Sequence, residues 1–186
     1  MRTQSSSDIK KLVFVSILLA IVVVSLGAYT RLTHAGLGCP DWPGCYGFID
    51  VPKTSEQILA AEKAFPDRPV EHHKAWNEMI HRYFAGALGF LILIIAFLSI
   101  KRRAHGGPVG LPILILLVVI FQAALGMWTV TMMLMPVVVM GHLLGGFTTL
   151  CLLFLLYLRL GDYRVPGGDV ALKKYAKFGV LGIIIL

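Results

Sequence analysis

Four blocks of apolar sequence, none containing Asp, Glu, Lys or Arg, constrain this chain more than any other feature. They run from Leu12 to Tyr29, Tyr83 to Ile100, Leu111 to about Met133, and about Val137 to Leu158. Each approaches or exceeds the roughly 20 residues a helix needs to cross a bilayer. Inside hydrocarbon every backbone amide must find its partner within the chain, so spans of this kind are helices. The composition agrees: 57% of residues are hydrophobic, 15% are charged, and the mean hydropathy is +0.79. Soluble domains average about 25% charged residues, and disordered chains are poorer still in apolar ones. The sequence therefore predicts an all-α polytopic membrane protein, a four-helix transmembrane bundle over residues 12–158. A fifth apolar block opens at Phe178 and reaches Leu186. As a helix it rises only about 13 Å against ~30 Å of hydrocarbon. Residues 178–186 are thus expected to be the start of a fifth span, and the chain a fragment, or the first half, of a longer one.

Charge sets the expected orientation. A tail over residues 1–11 carries Arg2, Lys10 and Lys11 against Asp8, a net of +2. The turn Lys101-Arg102-Arg103 adds +3. A linker over residues 159–177 holds Arg159, Arg164, Lys173, Lys174 and Lys177 against Asp162 and Asp169, another +3. The long loop 30–82 has six basic and seven acidic residues, a net of −1. Basic segments stay on the cytoplasmic side, which places tail, turn and linker in the cytoplasm and loop 30–82 outside. The net charge of +7 is accounted for by topology, and no nucleic-acid partner is implied. The first block exceeds the 7–15-residue core of a cleaved signal peptide, so it is read as a retained span.

Cys39 and Cys45 enclose Pro40-Asp41-Trp42-Pro43-Gly44 in the outer loop. Outside a bacterial inner membrane, or its organellar equivalent, thiols meet an oxidising compartment. Two prolines and a glycine bend the intervening chain. A disulfide-closed loop is favoured over two free thiols or a metal pair, since the spacing lacks the paired CxxC of a zinc site. Cys151 lies within the fourth span and is read as a packing residue.

Ionisable groups inside a membrane are costly and usually functional. Of six histidines, His34, His72, His73 and His105 fall in the loop or the cytoplasmic turn and are expected to be solvated. His81 and His142 differ. Each lies on a span running from outside to inside, 20 residues before Lys101 and 17 before Arg159 respectively. At 1.5 Å per residue the two sit within about 5 Å of the same depth. Two histidines at matched depth in a small bundle are arranged to grip a haem from both faces. Gly145 and Gly146 follow His142 by three and four residues, on its own face, and Ala85, Gly86 and Gly89 follow His81. Small residues there leave room for a flat ring, or serve close helix packing. Arg31 and Arg82, at the outer ends of their spans, suit haem propionates. Glu78 precedes His81 by three residues, on the same helical face. It either borders the ligand bound by His81 or pairs with Arg82, Lys74 or Arg31.

A weak internal echo joins the halves. Gly27-Ala28-Tyr29-Thr30 ends the first span and Gly126-Met127-Trp128-Thr129 the third, and a histidine-bearing span follows each. Two helix pairs, each donating one ligand, would form a pseudo-symmetric bundle around one haem.

The stretch from Tyr29 through Thr30-Arg31-Leu32-Thr33-His34 to Cys39-Pro40-Asp41-Trp42-Pro43-Gly44-Cys45-Tyr46-Gly47 resembles the signature loop of the haem A synthases. Trp76 followed by Glu78-Met79-Ile80-His81-Arg82 is similar to the family's Glu-x-x-His-Arg element. Gln122 to Val130 and Gly141-His142-Leu143-Leu144-Gly145-Gly146 resemble its third- and fourth-span motifs. The resemblance covers nearly the whole chain in order. It implies eight spans in two pseudo-equivalent halves, of which this chain is the substrate half. It further implies haem O and haem A as substrate and product here, with haem b as cofactor in the other half. By position, His81 and His142 would be the axial ligands of haem iron, Glu78 the catalytic carboxylate, and Cys39–Cys45 the loop disulfide. The implied reaction oxidises a porphyrin methyl to a formyl group through a hydroxymethyl stage, for cytochrome oxidase. Implied partners are haem O synthase and cytochrome oxidase assembly proteins, in a bacterial inner membrane or its mitochondrial equivalent. A truncated chain is expected to need the second half for activity. The alternative is a bis-histidine b-type membrane cytochrome that carries electrons without porphyrin chemistry. Glu78 and the Cys39–Cys45 loop favour the synthase, because a carrier needs neither.

Overall fold

A computed structural model describes residues 2–105 and 108–161. The fifth block at Phe178 and most of the 159–177 linker lie outside the described residues. The elements, in order, are α1 (Arg2–Leu32), α2 (Ser55–Ala64), α3 (His72–Lys101), a short 3-10 turn (Arg103–His105), α4 (Gly110–Thr131) and α5 (Pro136–Leu160). Among the described residues four helices are long and apolar enough to cross a membrane: Asp8–Leu32, α3, α4 and α5. The chain is an all-α polytopic membrane protein, as its hydropathy predicts. One boundary differs. Helix α3 begins at His72, eleven residues before the apolar block at Tyr83, so the last part of loop 30–82 is helical rather than loop. Those first turns are stabilised by docking against the rest of the loop, which hydropathy does not register. The amphipathic α2 inside the loop was also not anticipated. It opens with a reciprocal cap in which the Thr54 hydroxyl accepts from Gln57 N–H and the Gln57 side chain accepts from Thr54 N–H, satisfying two otherwise orphan donors.

Helix α1 packs on α3 and α5, and α4 packs on α3 and α5, so α1 faces α4, and α3 faces α5, across the bundle. One half of the bundle has a dense apolar centre to which every helix contributes, with Val13, Ile92, Ile115 and Leu153 at 0–1% exposure. Lipid is as apolar as these side chains, so close van der Waals packing holds the helices together there. At the opposite end a second cluster lies outside the four-helix centre. Cys39, Cys45, Tyr46, Val51 and Ala61 of the loop bury against Ala75 and Met79 of α3. The histidine-bearing level lies between these two cores.

The halves repeat at their turns. Helix α1 ends with Ala35 N–H donating to Thr30 C=O (2.9 Å), and α4 with Leu134 N–H donating to Thr129 C=O (2.8 Å). The residue before each donor, His34 or Met133, has φ of 53°, the left-handed conformation that closes helix ends. The echo of Gly27–Thr30 in Gly126–Thr129 is therefore structural: α1 corresponds to α4, and α3 to α5.

Candidate functional site

Helices α3 and α5 do not touch through their backbones, yet the rings of His81 and His142 meet in the space between them. Their centroids are 6.4 Å apart and their planes 89° to one another. An imidazole nitrogen binds a transition metal at about 2 Å, so two rings sharing one ion from opposite sides have centroids roughly 6 Å apart. The observed separation matches. Nδ1 of each ring is buried without a hydrogen bond of standard geometry. A backbone carbonyl, of Val23 for His81 and of Gln122 for His142, is the acceptor near each ring, and a ring N–H held there leaves the other nitrogen to a ligand. No group of three or more His, Cys, Asp or Glu suited to a metal occurs among the described residues. An ion between the two rings thus takes its other ligands from elsewhere, as iron does from a flat macrocycle. The residues present fit a bis-histidine haem.

The repeat backs each ring with a glycine. A Cβ on Gly27 of α1 would lie 3.1 Å from His81 Cε1, and one on Gly126 of α4 would lie 3.4 Å from His142 Cε1. In sequence these glycines stand out only as part of the echo between Gly27–Thr30 and Gly126–Thr129. Their reason is that each lets a ring lean on the neighbouring backbone.

The glycines after the histidines divide by role. At Gly145 the place of a Cβ is taken by the Gln122 side chain. Gly146 faces Val24 of α1, whose Cγ2 would lie 3.8 Å from its Cβ, as in ordinary helix packing. Gln122 opens the Gln122–Val130 motif of the third span. The rule that flagged the histidines, a polar group inside a span, would have found it.

Glu78 is 5% exposed and binds in two directions. Its Oε1 pairs with Arg82 Nη2 at 2.5 Å, one turn on. Its Oε2 accepts from the backbone N–H of Cys39 at 3.0 Å. Of the two sequence alternatives for Glu78, the ion pair is the one observed, and its partner is Arg82. Arg82 also donates through Nη1 to the Gly44 carbonyl at 2.5 Å. One carboxylate–guanidinium pair thus ties both ends of the Cys39–Cys45 loop to α3. Arg31 is exposed at the end of α1 and has no ion pair among the described residues. It is the guanidinium of the two that remains open to an anionic ligand.

Cys39 and Cys45 form a disulfide, with S–S 2.01 Å and Cα–Cα 4.8 Å. The Asp41 carboxylate accepts from Tyr46 N–H (2.6 Å) and Gly47 N–H (2.7 Å), and Cys45 and Phe48 exchange backbone hydrogen bonds. The Tyr46 hydroxyl donates to Pro69 C=O at 2.9 Å, and burial raises its pKa. Gly38 lies so close to the Lys74–Ala75 backbone that any side chain there would collide with it. Cys151 is unpaired, as expected, but it is exposed on the outside of the bundle rather than packed within it. Its depth in the span gave no information on its direction. His34, His72 and His73 are exposed, as their positions predict.

A sequence profile of the COX15-CtaA family, described as cytochrome oxidase assembly protein, matches residues 10–186. The haem A synthase of Shewanella oneidensis is 50% identical over 172 residues, covering 92% of this chain and 52% of that protein. The haem A synthase of Anaplasma marginale (strain Florida) is 26% identical over 187 residues, with coverages of 90% and 54%. That of Exiguobacterium sibiricum is 25% identical over 122 residues, covering 66% of this chain and 34% of the relative. The chain spans about half the length of the first two of these relatives. No solved structure matches it. From its motifs, its histidine-centred bundle and this match, the chain belongs to the COX15-CtaA family of cytochrome oxidase assembly proteins.

Proposed function

We propose that this chain is the substrate-binding half of a haem A synthase, which oxidises a methyl group of haem O to the formyl group of haem A. The observation that carries the reading is the pair of half-buried imidazoles, His81 and His142, facing each other across a gap between non-touching helices. In this assignment they hold the iron of haem O, Arg31 meets a propionate at the loop end, and a second half supplies a haem b cofactor. Glu78 is the catalytic carboxylate. Breaking one methyl C–H bond gives up two electrons, to an electron acceptor outside this chain, and one proton, and leaves positive charge on that carbon. Water attacking it forms the C–O bond and releases a second proton. A second two-electron, two-proton oxidation takes the hydroxymethyl to the formyl group. A carboxylate one turn from an iron ligand can stabilise that charge or accept the proton of the attacking water. Its hydrogen bond from Cys39 and ion pair with Arg82 fix its direction, and misplacement by about 1 Å can cost about 10²-fold in rate. The disulfide and the charge pattern support a loop facing the oxidising side of a bacterial inner membrane and a cytoplasmic N-terminus.

Pigment extraction from the purified intact protein tests this. Haem O or haem A in the extract is the expected result. Protohaem alone would indicate a b-type electron carrier, and no haem would overturn both readings.

A further inference from the structure

The repeat that matches Gly27 with Gly126 and His81 with His142 breaks at two positions. Four residues before each glycine stand Val23 and Gln122; three before each histidine stand Glu78 and Val139. The two polar residues flank the line between the imidazoles on opposite sides. Glu78 lies about one turn toward the disulfide loop, and Gln122 lies about one turn, ~6 Å, toward the other end. Glu78 has its partners, but the Gln122 carboxamide, seated over Gly145 beside His142, makes no hydrogen bond within the described residues. A carboxamide brings two donors and an acceptor, and leaving it unpaired inside a span is costly. A packing role does not require it either, since valine serves at the equivalent place on α1.

We propose that Gln122 is a specificity-determining residue whose carboxamide hydrogen-bonds a hydroxyl on the edge of the bound macrocycle farthest from the loop. This rests on the reading of the bundle as a haem O site. Haem O differs from protohaem by a hydroxyalkyl substituent in place of a vinyl group, on the edge remote from its propionates. With the propionates at the aqueous loop end, beside Arg31, that hydroxyl lies toward the level of Gln122. A site that hydrogen-bonds a hydroxyl discriminates against the analogue lacking it, because its own polar group is then left unpaired. Gly145 serves the same end, because any side chain there would displace the amide.

The test is a binding competition between haem O and protohaem on the intact protein, with this site defined as the binding lost on His142→Ala. The wild type is expected to prefer haem O. Gln122→Leu and the unbranched Gln122→Met are expected to lower that preference roughly fivefold to tenfold, the size of one neutral hydrogen bond. Protohaem affinity should hold or rise, since no polar group is then left unpaired beside it, and its low-spin absorption spectrum should stay unchanged. Equal binding of the two haems by the wild type, or an unchanged preference in both variants, would overturn the proposal. Loss of both haems alike in both variants would also overturn it, because it would make Gln122 a structural residue. Failure of the wild type to bind either haem through His142 would instead contradict the haem O reading itself.

Discussion

Glu78 anchors the loop through Arg82 and Cys39, and the catalytic role proposed for it can be separated from that architecture by substitution. Removing its charge and bulk together leaves Arg82, 12% exposed, unpaired, and breaking a buried pair on one side costs about 3–5 kcal/mol. Glu78→Gln keeps the shape and an oxygen that can still accept from Cys39 N–H. It should retain haem O while haem A formation falls at least 10²-fold, as pigment analysis of the intact enzyme would read. Wild-type haem A yield would refute the catalytic role. Gly27 and Gly126 give a graded comparison. A methyl on Gly27 would lie 3.1 Å from His81, whereas one on Gly126 would lie 3.4 Å from His142. Gly27→Ala should therefore lower haem retention more than Gly126→Ala, and the reverse order would contradict the ring-backing role. His81, His142 and the Glu78–Arg82 spacing were legible in sequence, because intramembrane ionisable groups and helical offsets are local signals. The Glu78–Cys39 bond was not, since its partners are 39 residues apart and only the folded loop brings them together.

The decisive element is the loop that caps the bundle. Hydropathy finds spans because it measures affinity for lipid, and it located all four. It missed the first turns of α3 because these bury against Cys39, Cys45 and Tyr46 instead of lipid. Helix α2 was in principle readable from Thr54-Ser55-Glu56-Gln57, a capping-box signature that precedes its apolar positions. The loop is held by the Cys39–Cys45 disulfide, by the Glu78–Arg82 pair and by backbone contact at Gly38. Opening so short a disulfide loop costs roughly 2 kcal/mol in chain entropy, so Cys39→Ser should loosen the loop without unfolding the bundle. Gly38→Val should do the same through collision with Lys74. Limited proteolysis is the readout: faster cleavage between α1 and α3 is expected in both variants, with α4–α5 intact. Unchanged cleavage would show that neither feature anchors the loop.

Across the whole molecule, two helix pairs related by a repeat place one histidine each at the centre, between an apolar core and a disulfide-capped loop. The repeat was visible in sequence as four matched residues, but unequal connections hid its extent. Thirty-nine residues connect α1 to α3, and only four connect α4 to α5. The central claim is that His81 and His142 grip one iron. Electron paramagnetic resonance of the intact protein loaded with haem O tests it most directly. The account predicts a low-spin bis-imidazole signal from haem O that is lost in His81→Ala and, equally, in His142→Ala. A haem O bis-histidine signal surviving either substitution would contradict it.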